Sequence, residues 1–342
     1  MTACTNRLRG FFNHRCSGRF RFLFSTLCAA ALTIPGGTAQ PETQVLRLLV
    51  PRSNSSLPLL LVAEQDPIRD VDIQATLFQN HVQALALLLR GEADLLLTGT
   101  SQGWENYLSG SPLLMIGTGV WGVSFLVGSK DCPPIKSVAD LAGKTIALPF
   151  PGSPLDFQTR FLLQRHGLDP EQDLKLIYSP PPQTAALLLK GQINAAPLPE
   201  PLVSQLVINQ ALQRFLDYKQ LWASAHGGDP KSPQVSLFTT REFASANAEL
   251  LEELLRHWQG AVAQVVTDPE EAARRFSEPL GFADSVIARS IPNTLYYLPS
   301  PEENRDRVRA YYETVKSFLP GKPLPRSGQT DLEEDFFFPW HP

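Results

Sequence analysis

Short apolar runs separated by polar breaks follow one another along the first third of the chain. The runs at residues 45–50, 71–77 and 95–98 have the length and composition of strands, and the stretches at 57–65 and 81–90 are predicted as helices. The order is therefore β-α-β-α-β. This order is typical of a parallel or mixed sheet covered by helices.

A second set of the same order begins at residue 137. Strands are predicted at 145–148, 174–178 and 193–198, and helices at 157–166 and 183–190. Residues 113–117 and 120–127 precede this set and residues 234–239 follow it, so we expect these apolar segments to cross between two lobes. Amphipathic helices are predicted at 248–267, 269–276 and 302–318.

Two stretches one hundred residues apart are nearly the same. Residues 83–94 read QALALLLRGEAD and residues 183–194 read QTAALLLKGQIN. Each predicts a helix that ends at a glycine, Gly91 or Gly191, after a basic residue that complements the negative end of the helix dipole. In a chain of 342 residues this repeat indicates two α/β lobes of similar plan, with a cleft between them for a small molecule.

The first 39 residues have the features of a secretory leader. They carry five arginines and no acidic residue, then an apolar stretch at 22–34 that is too short to span a bilayer, and small residues before a cleavage site expected after Ala39. The alternative is an uncleaved anchor. Removal of the leader leaves 25 basic and 34 acidic residues and a single cysteine, Cys132. We therefore expect an acidic periplasmic protein with no internal disulfide, no membrane span and no affinity for nucleic acid.

The sequence gives little support for catalysis or for a metal site. No G-x-G-x-x-G opens a predicted helix after a strand, and neither a P-loop nor H-E-x-x-H is present. Asp156 or Glu200 could serve as a general base, but no partner is placed beside either in the sequence. No catalytic residue, metal site or cofactor is therefore expected.

Four loops that follow predicted strands hold the candidate binding residues. In open α/β sheets, ligands bind outside the carboxyl ends of strands. Glycine, hydroxyl and amide groups and the free N–H groups of a helix start suit a polar or anionic solute there. The candidates are Ser53, Asn54, Gly99, Thr100, Gly152, Ser153 and Glu200, with Trp121 as an aromatic that can stack on a planar solute. The alternative is that the loop residues only form turns and that Trp121, like Phe78, Trp104 and Phe150, is a core residue.

Several longer motifs carry a resemblance to a known family. The chain contains VADLAGKTIA, PGSP, LLQRHGLDP and LLKGQINAAPLPEP between residues 137 and 201, LLRGEAD at 88–94 and DPEEAA at 268–273. Over roughly residues 45–276 it resembles the periplasmic substrate-binding proteins of ABC importers, of the nitrate/sulfonate/taurine type related to thiamine-precursor binders.

That resemblance implies an α/β, two-lobed periplasmic-binding-protein fold of type II. Each lobe would be a mixed β-sheet flanked by helices, with the ligand cleft between the lobes. Lobe 1 would comprise residues 40–122 and 235–342, with a C-terminal tail from about residue 320, and lobe 2 residues 123–234. Hinges are expected near 122–125 and 235–238. The aromatic residues of the tail, from Phe336 to Trp340, are expected to fold back onto a groove.

The resemblance also implies a function. The protein would be a monomeric, non-catalytic receptor that captures a small polar or anionic solute and delivers it to the permease and ATPase subunits of an ABC importer. Two alternatives stay open: an enzyme of this fold acting on a pyrimidine or porphyrin precursor, and a periplasmic sensory partner protein. Departures from the family at residues 53–56 and 65–70 fall near the pocket. The solute therefore stays open between a sulfonate, a nitrate-like anion and a heterocycle whose N–H groups Glu200 would accept.

Overall fold

The structure is a computed structural model that describes residues 43–129, 132–209, 212–316 and 331–339. The predicted leader with its cleavage site, and the part of the tail between residues 317 and 330, lie outside these residues. Among the helices that the structure describes, none is both long and apolar enough to cross a membrane.

The described chain forms strands and helices that alternate in part, with helices alone after the last strand. The strands are β1 Gln44–Pro51, β2 Val71–Phe78, β3 Leu95–Gly99, β4 Leu113–Val120, β5 Ser124–Ser129, β6 Thr145–Leu148, β7 Lys175–Tyr178, β8 Ala195–Pro199, β9 Leu212–Asp217 and β10 Val235–Thr240. The helices are α1 Leu57–Gln65, α2 His81–Leu89, α3 Thr100–Leu108, α4 Pro154–Arg165, α5 Pro181–Leu189, α6 Leu202–Ile208, α7 Tyr218–Ala225, α8 Arg241–Ala246, α9 Ala248–Thr267, α10 Pro269–Leu280, α11 Asp284–Ser290 and α12 Pro301–Lys316.

The strands form two five-stranded sheets of the same plan. Their orders are β2-β1-β3-β10-β4 and β7-β6-β8-β5-β9. In the first sheet β1 pairs in parallel with β2 and β3, and β10 runs antiparallel between β3 and β4. In the second, β6 pairs in parallel with β7 and β8, and β5 runs antiparallel between β8 and β9. Both sheets are therefore mixed, as expected.

We call the first sheet with α1–α3 and α8–α12 lobe 1, and the second sheet with α4–α7 lobe 2. The chain leaves the first sheet after Val120 and enters the second at Ser124, and it returns at Val235. The residue bounds of the lobes, at 122–123 and 234–235, stay a prediction.

The repeated stretch forms the same unit in each lobe, as predicted. Helix α2 is followed by Gly91, whose φ of +70° is readily accepted only by glycine, and α5 is followed in the same way by Gly191. Along both helices the buried positions coincide: Ala84, Leu85 and Leu88 in the first correspond to Thr184, Ala185 and Leu188 in the second. Each helix therefore presents one apolar stripe to its sheet, and the β3 and β8 strands that follow are buried.

Several elements were not predicted from the sequence: α3, α6, α7, α8, α11 and β9. Helix α3 shows the reason. Its first turn is polar, yet Thr100, Ser101 and Gln102 are all buried. Because these polar residues are buried through hydrogen bonds with Ser236, Gly152 and Thr98, no apolar periodicity marks the helix.

The tail packs on lobe 1 through its phenylalanines. Phe336, Phe337 and Phe338 are buried, and the Phe338 N–H donates to the carbonyl oxygen of Met115 on β4 at 2.8 Å. The Phe336 ring lies 4.6 Å from the Tyr107 ring, centroid to centroid. The expected fold-back is confirmed for these residues, while Trp340 lies outside the described residues.

Candidate functional site

The candidate loops lie at the carboxyl ends of β1, β3, β6 and β8, and the last three of these loops contact the other lobe. The approach is close: a Cβ atom at position 99 would lie 3.1 Å from Cδ of Pro154, which belongs to lobe 2. Glycine at position 99 therefore lets the backbone of lobe 1 contact the start of α4.

Ser53 and Asn54 bind groups of their own lobe. The Ser53 hydroxyl lies 2.5 Å from the Ser55 hydroxyl. The Asn54 side chain is fully buried and donates to the hydroxyls of Ser290 at 2.8 Å and Thr294 at 3.2 Å. Asn54 therefore joins the loop after β1 to the end of α11.

Thr100 and Ser101 begin α3, whose N-cap is Gly99 and so offers no side chain to the helix N-terminus. The Thr100 N–H donates to the Gln234 carbonyl oxygen at 3.0 Å, and its hydroxyl lies 2.8 Å from that of Ser236. The Ser101 hydroxyl reaches across the cleft and donates to the carbonyl oxygen of Gly152 at 2.7 Å. Of the residues at this helix start, Ser101 makes the direct contact with lobe 2.

Gly152 and Ser153 directly precede α4, which begins three residues earlier than the helix predicted at 157–166, and their polar groups have partners within the chain. The Ser153 hydroxyl accepts from the Asp156 N–H at 3.1 Å, and the Asp156 carboxylate accepts from the Gly152 N–H at 2.9 Å. Asp156 is also paired with Arg160 at 2.8 Å. A carboxylate of the chain itself therefore lies at the positive end of this helix. Gly152 has a φ of +79°, so any substitution there strains the backbone whatever happens in the cleft.

Glu200 is fully buried, with four donors around its carboxylate. Ser204 donates through its N–H at 2.8 Å and its hydroxyl at 3.0 Å, Arg214 donates at 3.0 Å, and Asn293 of lobe 1 donates at 2.8 Å. Burial raises the pKa of Glu200 above its ordinary value, and the hydrogen bonds from Ser204 and the charge of Arg214 oppose that rise. These contacts tie lobe 2 to the short 3-10 turn that ends at Asn293.

Trp121 lies where the chain first crosses between the lobes. It is fully buried, and its indole N–H donates to the carbonyl oxygens of Tyr297 at 2.8 Å and Thr118 at 3.1 Å. The carbonyl oxygen of Trp121 accepts from the Ser232 N–H at 2.9 Å on the return crossing. Trp121 therefore holds the two crossings together.

Two buried amides were missed from the sequence. The Gln234 side chain donates to the Gln158 oxygen at 3.2 Å, and Gln158 donates to the Ser232 hydroxyl at 3.2 Å. We call Ser101, Gly152, Gln158, Ser232 and Gln234 the polar seam. Ser101 of lobe 1 binds Gly152 of lobe 2 directly, and Gln158 of lobe 2 binds Ser232 and Gln234 on the return crossing, all through uncharged groups. The sequence gives no signal for this pair, because the two glutamines lie 76 residues apart in ordinary polar positions.

A histidine at the cleft was also missed. His81 begins α2, and its Nδ1 lies 2.8 Å from the Thr98 hydroxyl, which donates to Gln102 at 2.6 Å. Its ring centroid lies 5.0 Å from that of Phe78 and 5.8 Å from that of Phe150 in lobe 2. Burial lowers the pKa of His81 to about 4, so the ring is neutral at pH 7. A neutral ring whose Nδ1–H binds Thr98 keeps its Nε2 as an acceptor.

Aromatic side chains join the lobes beside the polar seam. Ring centroids lie 6.0 Å apart between Trp104 and Phe157, 5.7 Å between Trp104 and Tyr311, and 4.9 Å between Tyr311 and Trp222. We call the aromatic seam the set Trp104, Phe157, Phe161, Trp222, Tyr311 and Tyr312. One hydrophobic cluster contains them all and extends into both lobes, whereas two other clusters each lie within one lobe.

The described residues contain no group of three or more His, Cys, Asp or Glu side chains that could hold a metal ion. Asp156, considered above as a general base, is engaged by Arg160 and by the start of α4. The arrangement between the lobes therefore supplies hydrogen-bond donors and acceptors and aromatic faces.

Comparisons with known proteins give the fold and a partial likeness to one family. A model of the NMT1-like family matches residues 128–278. Over 122 residues the chain is 31% identical to the nitrate/nitrite binding protein NrtA of Synechococcus elongatus, an alignment that covers 32% of this chain and 27% of that protein. The chain thus matches only about a quarter of the length of that curated relative.

Solved structures match over most of the chain. The alkanesulfonate-binding protein SsuA of Xanthomonas axonopodis pv. citri, bound to MOPS, superposes with a TM-score of 0.68 at 19% identity, covering 85% of this chain and 99% of that one. The periplasmic nitrate-binding protein NrtA of Synechocystis PCC 6803 gives 0.66 at 17% identity, covering 82% and 84%. At these identities the likeness shows the fold, which is the expected two-lobed one. Over residues 128–278 the chain is therefore similar to the NMT1-like family, and as a whole it has the fold of periplasmic substrate-binding proteins.

Proposed function

We propose that the protein is a periplasmic solute receptor that captures a small polar or anionic solute between its lobes and delivers it to an ABC permease. The observation that carries this proposal is the polar seam, where uncharged donors and acceptors of both lobes meet at the ends of the strands. The fold supports it, because the nitrate- and sulfonate-binding proteins named above share that fold.

The proposed solute site comprises Ser53, Asn54, Gly99, Thr100, Trp121, Gly152, Ser153 and Glu200, with Ser101 and His81 added. Solute oxygens would replace the direct contacts between the lobes, since hydroxyl and amide groups can turn their donors from one acceptor to another. Neighbouring cations are engaged: Arg160 binds Asp156 and Arg214 binds Glu200. We therefore propose that the solute is recognised mainly by neutral groups.

The closed form would be the one that the permease recognises. A solute that contacts both lobes favours closure by its differential affinity for the two states. The protein would act with a permease and an ATPase, without catalysing a reaction of the solute.

A thermal-shift screen tests the proposal, with nitrate, methanesulfonate, taurine and an aminopyrimidine as probes. Binding stabilises the folded state by about 2.7 kcal/mol at a concentration about 100 times Kd, so the true class should raise Tm clearly. Calorimetry and product analysis follow for any positive probe. Chemical conversion of the bound solute by the purified protein would contradict the proposal and favour an enzyme on this fold.

A further inference from the structure

Helix α12 belongs to lobe 1 by its anchoring contacts. The Asn304 side chain accepts from the Thr118 N–H on β4 at 3.0 Å, and Arg309 donates to the Leu332 carbonyl oxygen of the tail at 2.8 Å. The Tyr312 ring centroid lies 5.4 Å from that of Trp104 on α3. The helix is thus fixed to the edge of the first sheet along its length.

The same helix contacts lobe 2 at two positions about one turn apart. The Tyr311 ring lies 4.9 Å from the Trp222 ring of α7, centroid to centroid, and both side chains are at most 2% exposed. The Tyr311 hydroxyl has no hydrogen-bond partner among the described residues, so the ring makes the contact. The Arg307 guanidinium pairs with Asp229 in the loop between α7 and β10.

The ion pair is part of a short chain of charged groups. Arg307 also donates to Glu303 at 2.6 Å, and Glu303 accepts from the Tyr297 hydroxyl at 2.6 Å. Burial raises the pKa of Asp229, but hydrogen bonds from the Lys231 N–H and from Arg307 outweigh it, so its pKa lies below the ordinary value. The carboxylate facing α12 is therefore ionised at neutral pH.

We infer that α12 is a strap between the lobes, in which Tyr311 and Arg307 are positioning residues that limit how far lobe 2 can separate from lobe 1. Separation on this side would expose the Tyr311 and Trp222 rings and break the Arg307–Asp229 pair. A hinged receptor needs open and closed states within a few kcal/mol of each other, so an aromatic contact of this kind sets the open fraction.

The biological role of the strap rests on the proposed function, because the strap would set how fast a solute enters and leaves. The restraint on lobe separation itself does not depend on that function. Lobe separation can be measured on the purified protein with no solute added, so a failed solute screen and a failed strap test are distinct results.

The test uses two matched pairs of variants. Tyr311→Ala removes the ring and Tyr311→Phe only the unpartnered hydroxyl. Arg307→Gln breaks the ion pair with Asp229 of lobe 2. Arg309→Gln is its control, because Arg309 lies on the same helix but its polar partners among the described residues belong to the tail. Hydrogen exchange of α7 amides and the radius of gyration from small-angle scattering are measured for each.

We expect Tyr311→Ala to speed exchange in α7 on the order of tenfold and to widen the scattering envelope, with Tyr311→Phe unchanged. Arg307→Gln should speed exchange roughly twofold to fivefold, with Arg309→Gln unchanged. Equal exchange and dimensions in Arg307→Gln and Arg309→Gln would overturn the strap. If Tyr311→Ala does not fold, the comparison of Arg307→Gln with Arg309→Gln still tests the strap. Both arginines are partly exposed, so we expect these two variants to fold.

Discussion

The polar seam and the aromatic seam join the same two lobes through different physical interactions. In the polar seam, Ser101 binds Gly152 and Gln234 binds Gln158, and water or a solute can replace each of these partners. Each such exchange changes the free energy by about 0.5–1.5 kcal/mol. In the aromatic seam, separation would transfer rings such as Trp222 and Tyr311 into water, where no substitute for their contacts exists.

This difference assigns separate roles to the two regions. In the proposed function, reversible capture of a solute would belong to the polar seam, where partners can be exchanged at small cost. Persistent association of the lobes belongs to the aromatic seam and to α12. Of the candidate residues of the sequence analysis, Gly99, Thr100, Gly152 and Ser153 lie in or beside the polar seam. We expect the aromatic seam to couple the unfolding of the two lobes, because its cluster extends into both.

The largest effect is expected from Trp222→Ala in the aromatic seam. Loss of this fully buried ring should lower the free energy of unfolding by about 3–5 kcal/mol. It should also let the lobes unfold in separate steps, because the cluster that spans both lobes is interrupted. Calorimetry and urea unfolding measure both effects. The control is Trp258→Ala, equally buried but confined to the core of lobe 1. A single transition in both variants would contradict the separate roles.

The next effect is a pH dependence that His81 causes. Its pKa of about 4 in the folded state is below the ordinary value of 6.5, so the unfolded chain takes up a proton first as the pH falls. Stability is therefore complete above pH 6.5 and lost as the pH falls toward 4, by up to about 3 kcal/mol.

Unfolding measured between pH 7 and pH 4 should show a shallower pH dependence in His81→Asn than in the parent protein. The asparagine amide can still donate to Thr98 but does not titrate. An unchanged slope in the variant would mean that other groups carry the acid sensitivity.

A smaller effect on stability and lobe separation is expected to distinguish Ser101, a member of the polar seam, from Ser153, the N-cap of α4. Ser153→Ala removes the cap of α4 and should lower stability by about 1 kcal/mol with no change in lobe separation. Ser101→Ala removes the bond to the Gly152 carbonyl and should cost about 0.5–1.5 kcal/mol while favouring the open form. Chemical unfolding combined with small-angle scattering measures both quantities. Identical scattering of the two variants would remove Ser101 from the set of interlobe contacts.

The smallest effect is expected at Glu200. Because its pKa is raised in the folded state, the folded protein binds the proton more tightly than the unfolded chain does. Stability should therefore rise as the pH falls toward that raised pKa, and Glu200→Gln should remove this rise. The gain from removing a buried charge is offset, since the new amide places an N–H₂ near the donors of Ser204 and Arg214. The free energy of unfolding measured between pH 7 and pH 5 tests this prediction. If Glu200→Gln keeps the pH dependence of the parent protein, Glu200 is not the source of that dependence.

The sequence predicts the repeated unit well and the contacts between the lobes poorly. Apolar stripes and the glycines at 91 and 191 suffice for α2 and α5, since both signals are local. Ser153 was placed in the loop before a helix predicted at 157–166, whereas it is the N-cap of α4. Its hydroxyl caps the helix through Asp156, three residues on, and Gly152 has a left-handed backbone. Gln158, Gln234 and His81 carry no local signal, because their partners come from distant segments.

The docked tail has a consequence for how copies of this protein meet. β4 is an edge strand, and the unpaired backbone groups of an edge strand are a template for pairing with another chain. The Phe338 N–H already binds the Met115 carbonyl, and Phe337 forms a bridge to Met115. Phe337 and Phe338 therefore occupy part of the β4 edge, and we expect them to hinder its pairing with another copy of the chain. A chain that ends before Asp331 would present the middle of β4 to its neighbours in a crowded compartment.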